Sequence, residues 1–429
     1  MLKADLRQNS AAQPPGSTGR KPLRFNPVSE EFHQDPYPVY QWLQRDEPRY
    51  RLLGSWVLTR FADVVEVLSN RAYSSRLFED IIWKNKPDFG IPEPDPIQFF
   101  IRKAIVFTEN PDHARLRRLT NDSFTQRQID AERPLIAAVV DAAIERAARS
   151  GVADVVEAIA EPVPLRVMAG RLGLEVDAHP GFARRINDAR QLLDPGLMTR
   201  EDYERTHASM TELMEIMRKQ AGGGCPFHGV GKHNLMEGLE AARWGEDRLD
   251  HEEILLLSIM TFVAGTETTK ALIGNSIYLL LSHPDQLALL RRDRSLLRNA
   301  VEEVMRYESP LQQTKRVAIE DTRLGDASIR KGEQLLLCLG AANRDPAQFA
   351  DPQRFDIGRA NANEHLAFGY GMRNCLGGGL AATIAETVIE RLLLDRTDVT
   401  LAGDGLHWQT KSRILRSLQR LPVRLGAAA

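Results

Sequence analysis

The run from His251 to Leu281 is the longest helical pattern in this chain, and its centre, Ile259 to Ala271, carries few charges. A helix this apolar has to be covered by protein, so the pattern predicts a rod through the middle of the molecule with other elements wrapped around it. At 429 residues the chain is long enough to bury a large core, and length alone allows two or three domains at most. A formal net charge of −2 gives no reason to expect a nucleic-acid partner, and there are no like-charge tails. Three cysteines (Cys225, Cys338, Cys375) are too few for a disulfide framework and leave at least one unpaired. No apolar run reaches the ~18 residues of a membrane span, and the N-terminus lacks the apolar stretch of a signal peptide. These features predict a cytoplasmic, reduced protein.

Residues 1–24 are polar and rich in Pro, Gly and Ser, and read as a flexible tail. From Phe25 onward the pattern is globular. Tyr37 to Arg45 predicts a short helix, Arg51 to Thr59 a hairpin, and Phe61 to Leu68 a further helix. Residues 72–111 read as irregular, with Trp83, Phe89, Phe99, Phe100 and Phe107 set among Pro87, Pro92, Pro94 and Pro96. A loop of that length inside a compact chain is more often functional than decorative. Helices are expected at 112–125, 130–149, 153–173, 180–193, 200–219, 285–292 and 296–308, the last stopped by Pro310. Strand-like pieces fall between Leu311 and Leu339, and a terminal hairpin over 405–425. The stretch Gln220 to Asn234 holds Cys225, His228 and His233; a fourth zinc ligand is missing nearby, and its glycines read as a flexible loop. No linker follows residue 25. The fold class expected is therefore mainly α with a small β portion, in a single large domain over 25–429.

Four separated signals carry chemistry. The first is His365 to Ala381, HLAFGYGMRNCLGGGLA, in which Gly369, Gly371, Gly377, Gly378 and Gly379 crowd Cys375. The apolar run after it reads as a buried helix. Cys375 then lies at a helix N-terminus, where free N–H groups and the dipole favour a thiolate that serves as metal ligand or nucleophile. Taken alone, a small cysteine beside a glycine turn is ordinary packing. The second signal is Ala264-Gly265-Thr266-Glu267-Thr268-Thr269 in the long helix. Small residues at Ala264 and Gly265 leave a notch for a ligand, and Glu267 and Thr268 set an acid beside an alcohol in apolar surroundings, which is costly unless it serves a purpose. Threonine hydroxyls there can also bond back to the helix and loosen a turn. By itself this stretch reads equally as a helix-packing patch with Glu267 at solvent. The third is Glu303-x-x-Arg306, spaced for a salt bridge on one helix face, with Arg354 as a further member of the network. The fourth is a scatter of cations, His113 and Arg117 at i, i+4, Arg316, and Arg373, which together suit two carboxylates on a bound cofactor.

The loop FGYGMRNCLG, the helix AGTETT, the Glu303–Arg306 pair and their order resemble a cytochrome P-450 of the soluble bacterial type. The similarity runs from Phe25 to the terminal LPVRL and includes Asn343-Arg344-Asp345-Pro346 and His113-Ala-Arg-Leu-Arg117. The resemblance implies haem b (iron protoporphyrin IX) held between the central helix and the Cys-loop helix, with Cys375 as axial iron ligand. It implies that Phe368, Gly369 and Gly371 pack under the porphyrin, with Gly377 near the sulfur. His113, Arg117, Arg316 and Arg373 match positions that bind haem propionates, while Ala264 and Gly265 belong to the cofactor-facing notch. Thr268 matches the alcohol that helps deliver protons to dioxygen, and Glu267 its acidic neighbour. Glu303, Arg306 and Arg354 match a structural network.

The implied reaction is monooxygenation of a small organic substrate of secondary-metabolite, terpenoid, steroid or fatty-acid-like type. The last hairpin lies close to the final residue given, so a fused flavin domain is not expected. Electrons are therefore expected from separate partners, a ferredoxin and ferredoxin reductase or a flavodoxin-type donor, with Arg373 on the docking side. Aryl coupling, peroxide-driven oxidation and a non-catalytic haem sensor are the alternatives; an intact Glu267–Thr268 pair speaks against the last two. The substrate walls implied are residues 72–105, 180–200, the 256–268 helix face, Leu311 to Thr314 and the terminal hairpin. In the hairpin tip, Lys411 or Arg413 either anchors a polar substrate end or belongs to a solvated turn.

Overall fold

The computed structural model describes residues 24–76, 95–194, 198–222, 235–396, 398–403, 406–410 and 412–425. Its axis is the helix His251–Ser282. A capping box starts that helix: the Asp250 carboxylate accepts from the Glu253 N–H at 2.7 Å, and Glu253 accepts from the Asp250 N–H at 2.9 Å. Residues on nearly every face of it are buried. It packs against helices Pro162–Arg171, Gly378–Ile389, Arg200–Gly222, Leu297–Tyr307 and Phe182–Arg190. The expected central rod and its helical wrapping are both present.

The β portion lies to one side. Its main sheet has the strand order Arg49–Leu52, Ser55–Leu58, Gln334–Cys338, Gln313–Ala318, Tyr73–Ser74. The first two form the expected hairpin, and Ser55–Leu58 then runs parallel to Gln334–Cys338, with Trp56 opposite Leu335. Leu58, Val64, Leu335, Leu337 and Leu366 fill the small core beneath this sheet. That packing fixes the strand Gln313–Ala318 next to the Cys loop.

Three segments depart from the sequence reading. Within 72–111, residues Pro96–Lys103 form a helix capped by Asp95, whose carboxylate accepts from Ile97 N–H at 2.9 Å. Pro96, read as a breaker, occupies the first turn, where a missing N–H costs nothing. The expected helix over 153–173 is three pieces: a strand Val152–Asp154, a π-turn Val156–Ala160 and a helix Pro162–Arg171. The strand exists because Pro422–Arg424 pairs with it, Asp154 opposite Pro422 and Val152 opposite Arg424, a separation beyond any local pattern. The terminal hairpin is divided between sheets. His407–Trp408 pairs with Leu418–Arg420, while Pro422–Arg424 joins Val152–Asp154 and Thr400–Leu401. The expectations for the tail through residue 23, for Trp83, Pro87, Phe89, Pro92 and Pro94, for Cys225, His228 and His233, and for Lys411 lie outside the described residues.

Candidate active site

The Cys375 loop is closed by its own backbone. Leu366 N–H donates to the Asn343 side chain at 2.6 Å, Gly369 N–H to the Leu366 carbonyl at 2.9 Å, and Cys375 N–H to the Phe368 carbonyl at 2.7 Å. Gly369 (φ +72°) and Gly371 (φ +67°) turn the chain through left-handed conformations that side chains rarely adopt. Phe368 lies over Gly378, where an added Cβ would come within 3.2 Å of the ring. Helix Gly378–Ile389 begins immediately after the loop, with Gly377 as its cap. The N–H groups of Gly377 and Gly378 point to the Cys375 sulfur.

Burial pushes the Cys375 thiol up, while the Gly377 N–H, the Arg117 guanidinium and the Gly378 N–H pull it back toward ionisation. The residue is surrounded by protein closely enough to be desolvated, yet its surface is accessible. Both statements hold if the sulfur faces an internal space. Cys338 provides the contrast: it is enclosed without such donors, and burial alone drives its thiol far up.

Part of the central helix has the same open character. Ala264 is exposed although it lies in the middle of the most enclosed element. Its neighbour Gly265 is different: a Cβ there would meet the Met168 Cε at 3.1 Å, so Met168 fills that side of the expected notch. Thr268 Oγ1 donates to the Ala264 carbonyl at 2.8 Å, and Thr266 Oγ1 to Phe262 at 2.8 Å. These back-bonds leave the helix continuous rather than loosened. Glu267 is not at solvent. Its side chain is 16% exposed and lies 3.6 Å from Lys270, which also reaches Glu161 at 3.0 Å.

The four cations converge electrostatically. His113, buried on helix Asp112–Asn121, is pushed down to about 4 by burial and by Arg373 and Arg117. Arg316, on strand Gln313–Ala318, is pushed down to about 10 by burial and Arg373. Its guanidinium donates to the Lys315 carbonyl at 2.7 Å and lies 3.4 Å from Thr314 Oγ1, with no carboxylate partner among the described residues. Arg117 donates to the Asn374 carbonyl at 2.6 Å and also to the Asn374 side chain, tying its helix to the Cys loop. Arg373 donates to the Thr108 carbonyl at 2.6 Å and to Glu109 at 2.8 Å.

Glu109 escaped the sequence reading. Burial raises its carboxyl, but bonds from Ser74 and Ser75 and the charge of Arg373 outweigh that and hold it below the usual range. Its position at i−4 from His113 was the available signal. The Glu303–Arg306 pair is present and fully enclosed, with contacts of 2.7 and 2.9 Å. Its third member is Arg359, at 3.1 Å from Glu303, not the Arg354 side chain, which is 66% exposed. Arg354 contributes its carbonyl, which accepts from Arg306 at 3.1 Å. Asp356-Ile357-Gly358-Arg359 has no spacing relation to Glu303, so sequence periodicity could not reveal the partner.

A haem requires a sulfur facing open space, an uncluttered backbone surface, and cations for two carboxylates. Cys375, Ala264 and the cation cluster supply each of these, and Arg316 in particular is a buried charge lacking its own acid. The residues fit the group. No helix of the described residues is long and apolar enough to cross a membrane.

Residues 199–395 match the family model described as Cytochrome P450. The chain is 35% identical to Cytochrome P450 107B1 of Saccharopolyspora erythraea, over 96% of this chain and all of that protein. It is 32% identical to the 6-deoxyerythronolide B hydroxylase of the same organism, covering 92% of this chain and 98% of the relative. Among solved structures, epothilone B-bound Cytochrome P450epoK superposes with a TM-score of 0.84 at 28% identity, covering 94% of this chain and 100% of the other. The chain therefore belongs to the cytochrome P450 family of haem-dependent monooxygenases, and haem b is its cofactor.

Proposed function

We propose that this enzyme hydroxylates or epoxidises a small organic substrate of secondary-metabolite, terpenoid, steroid or fatty-acid-like type, using electrons from a ferredoxin and its reductase or from a flavodoxin-type donor. The observation that carries the reading is Cys375, exposed yet desolvated by the protein around it, with its sulfur met by the Gly377 and Gly378 N–H groups. Haem, when bound, supplies the binding and reductive splitting of dioxygen. Cys375 is the residue that would hold its iron, with His113, Arg117, Arg316 and Arg373 holding the carboxylates.

The remaining work belongs to side chains. The Thr268 hydroxyl rests on the Ala264 carbonyl at 2.8 Å. That carbonyl keeps its helical N–H partner when the hydroxyl swings away, so Thr268 can pass a proton into the site at little structural cost. Glu267 lies next to it and is held by Lys270, which suits it to refill that proton from outside. An intact acid–alcohol pair supports dioxygen over peroxide as oxidant. Tyr370 and Met372 are exposed on the Cys loop and offer the electron donor an apolar contact there.

The test is the absorbance spectrum of the dithionite-reduced protein under carbon monoxide. A strongly red-shifted Soret band that disappears in Cys375→Ala is expected. A band at the histidine-ligated position in wild type would overturn the assignment of Cys375. Catalysis is separated from sensing by substrate-dependent NAD(P)H consumption with both donor proteins present. Thr268→Ala is expected to keep haem and substrate binding while lowering product formed per NAD(P)H by roughly ten-fold or more.

A further inference from the structure

Lys315 is a cation that nothing in the reaction uses. It lies on strand Gln313–Ala318 between Thr314 and Arg316 and is only partly accessible. Alternation along the strand sends Arg316 toward Arg373 and Glu109, and Lys315 to the opposite side. On that side, at its Gln313–Lys315 end, the strand pairs with Gln334–Cys338 along one edge. Its other neighbour, Tyr73–Ser74, pairs at Val317 and Ala318, so among the described residues the second edge is unpaired at Lys315.

Two further segments converge there. The turn after His407–Trp408 is pinned to the start of the strand: Gln312 N–H donates to the Ile414 carbonyl at 2.7 Å, and Leu311 bridges to Leu415. That turn carries Arg413, whose guanidinium and backbone N–H each reach Asp194 at 3.2 Å. Asp194 closes the short helical turn Gln191–Leu193 that follows helix Phe182–Arg190. Strand, turn and helix end are three of the walls expected around the substrate.

The charges at this junction do not balance. Lys315 is close enough to feel both Arg413 and Asp194. Asp194 is already bonded twice by Arg413, and Lys315 has no acceptor among the described residues. Among the described residues, two cations against one acid leave a surplus of one positive charge, and the Lys315 ammonium is the donor left unmet. A buried ammonium without a partner is unfavourable; burial and Arg413 accordingly pull Lys315 down from the ordinary lysine range.

We propose that Lys315 is the subsite for a carboxylate carried by the substrate. A monoanion neutralises the surplus and satisfies the Lys315 ammonium. Of the two anchors expected from the sequence, Arg413 is largely occupied by Asp194, and Lys411 lies outside the described residues. Since Lys315 points away from the Arg316 and Cys375 side of the strand, the carboxylate is an anchor and not the reacting end. Oxidation then falls several carbons away from it. This inference rests on the monooxygenase reading and adds the substrate's chemical class.

The experiment is calorimetric titration of the haem-loaded enzyme with dodecanoate and, separately, with dodecan-1-ol, in wild type, Lys315→Gln and Lys315→Met. Wild type is expected to bind dodecanoate at least ten-fold more tightly than the alcohol. Both variants are expected to lose that preference while keeping the wild-type affinity for the alcohol. Equal affinities in wild type, or the same preference in the variants, would overturn the proposal. If neither variant folds, the wild-type comparison decides alone. The carbon monoxide spectrum recorded on each sample keeps the two readings apart: an intact thiolate band with no carboxylate preference removes the subsite and leaves the monooxygenase standing.

Discussion

Two groups of enclosed basic side chains in this molecule are built on opposite plans. Arg306 and Arg359 converge on Glu303, and backbone carbonyls of Asn343, Pro352, Arg354, Ala350 and Asp351 take up their remaining donors. Arg316 and His113 lie in a similarly enclosed place with no acid of their own, while Glu109 serves Arg373. The first group is complete within the chain; the second, among the described residues, is left without an acid of its own, as expected of a place that receives a ligand's negative charges. A buried charge that the protein satisfies itself is part of the fold, and one left short is part of a binding site.

The largest effect expected from this contrast is at Glu303. Replacing it with Gln leaves Arg306 and Arg359 short of their acid and is expected to cost about 3–5 kcal/mol in urea unfolding. A loss below ~1 kcal/mol would erase the distinction between the two groups. Arg316→Gln is expected to do the reverse. The haem-stripped protein should keep its stability within ~1 kcal/mol, because no internal partner is lost. Haem transfer to an apo-globin acceptor should accelerate by roughly 10- to 100-fold, the scale of a lost charge-assisted bond. If Arg316→Gln weakens the haem-stripped fold as much as Glu303→Gln does, the two groups are alike.

His113 sharpens the same contrast through pH. Its folded value, about 4, is below the ordinary 6.5, so the folded protein refuses a proton that the unfolded chain accepts. Its share of stability is intact above pH 6.5 and is lost as pH falls from 6.5 toward 4. In haem-stripped protein that acid limb should amount to on the order of 1–3 kcal/mol and flatten in His113→Gln. Carboxylates bound beside the imidazole restore its proton affinity, so the haem-loaded protein should show a shallower limb. The smallest effect belongs to Arg354→Ala, expected within ~0.5 kcal/mol because only the carbonyl of that residue joins the network.

What the sequence made legible follows the range of the interactions concerned. The central helix, the Cys375 loop and the Glu303–Arg306 pair are local patterns, readable from spacing within a few residues. Arg413 with Asp194, and Arg359 with Glu303, are contacts between segments far apart in the chain, and no periodicity marks them. The strand Val152–Asp154 was missed for the same reason, since its identity depends on the far terminus. Gly265 illustrates a subtler limit: composition announced a notch, but not that Met168 would fill one side of it.

The box that starts the central helix has a mechanical consequence. Glu253 caps that helix and also accepts from Arg115 at 2.6 Å, and Arg115 stands on the helix that carries His113 and Arg117. One carboxylate therefore splices two walls of the active site into a single lever. Ala264 lies fourteen residues along from Asp250, a reach of about 20 Å at the rise of an α-helix. The helix carrying His113 and Arg117 and the helix carrying Thr268 are thereby joined at one carboxylate, so neither can shift against the other without straining the Glu253–Arg115 contact.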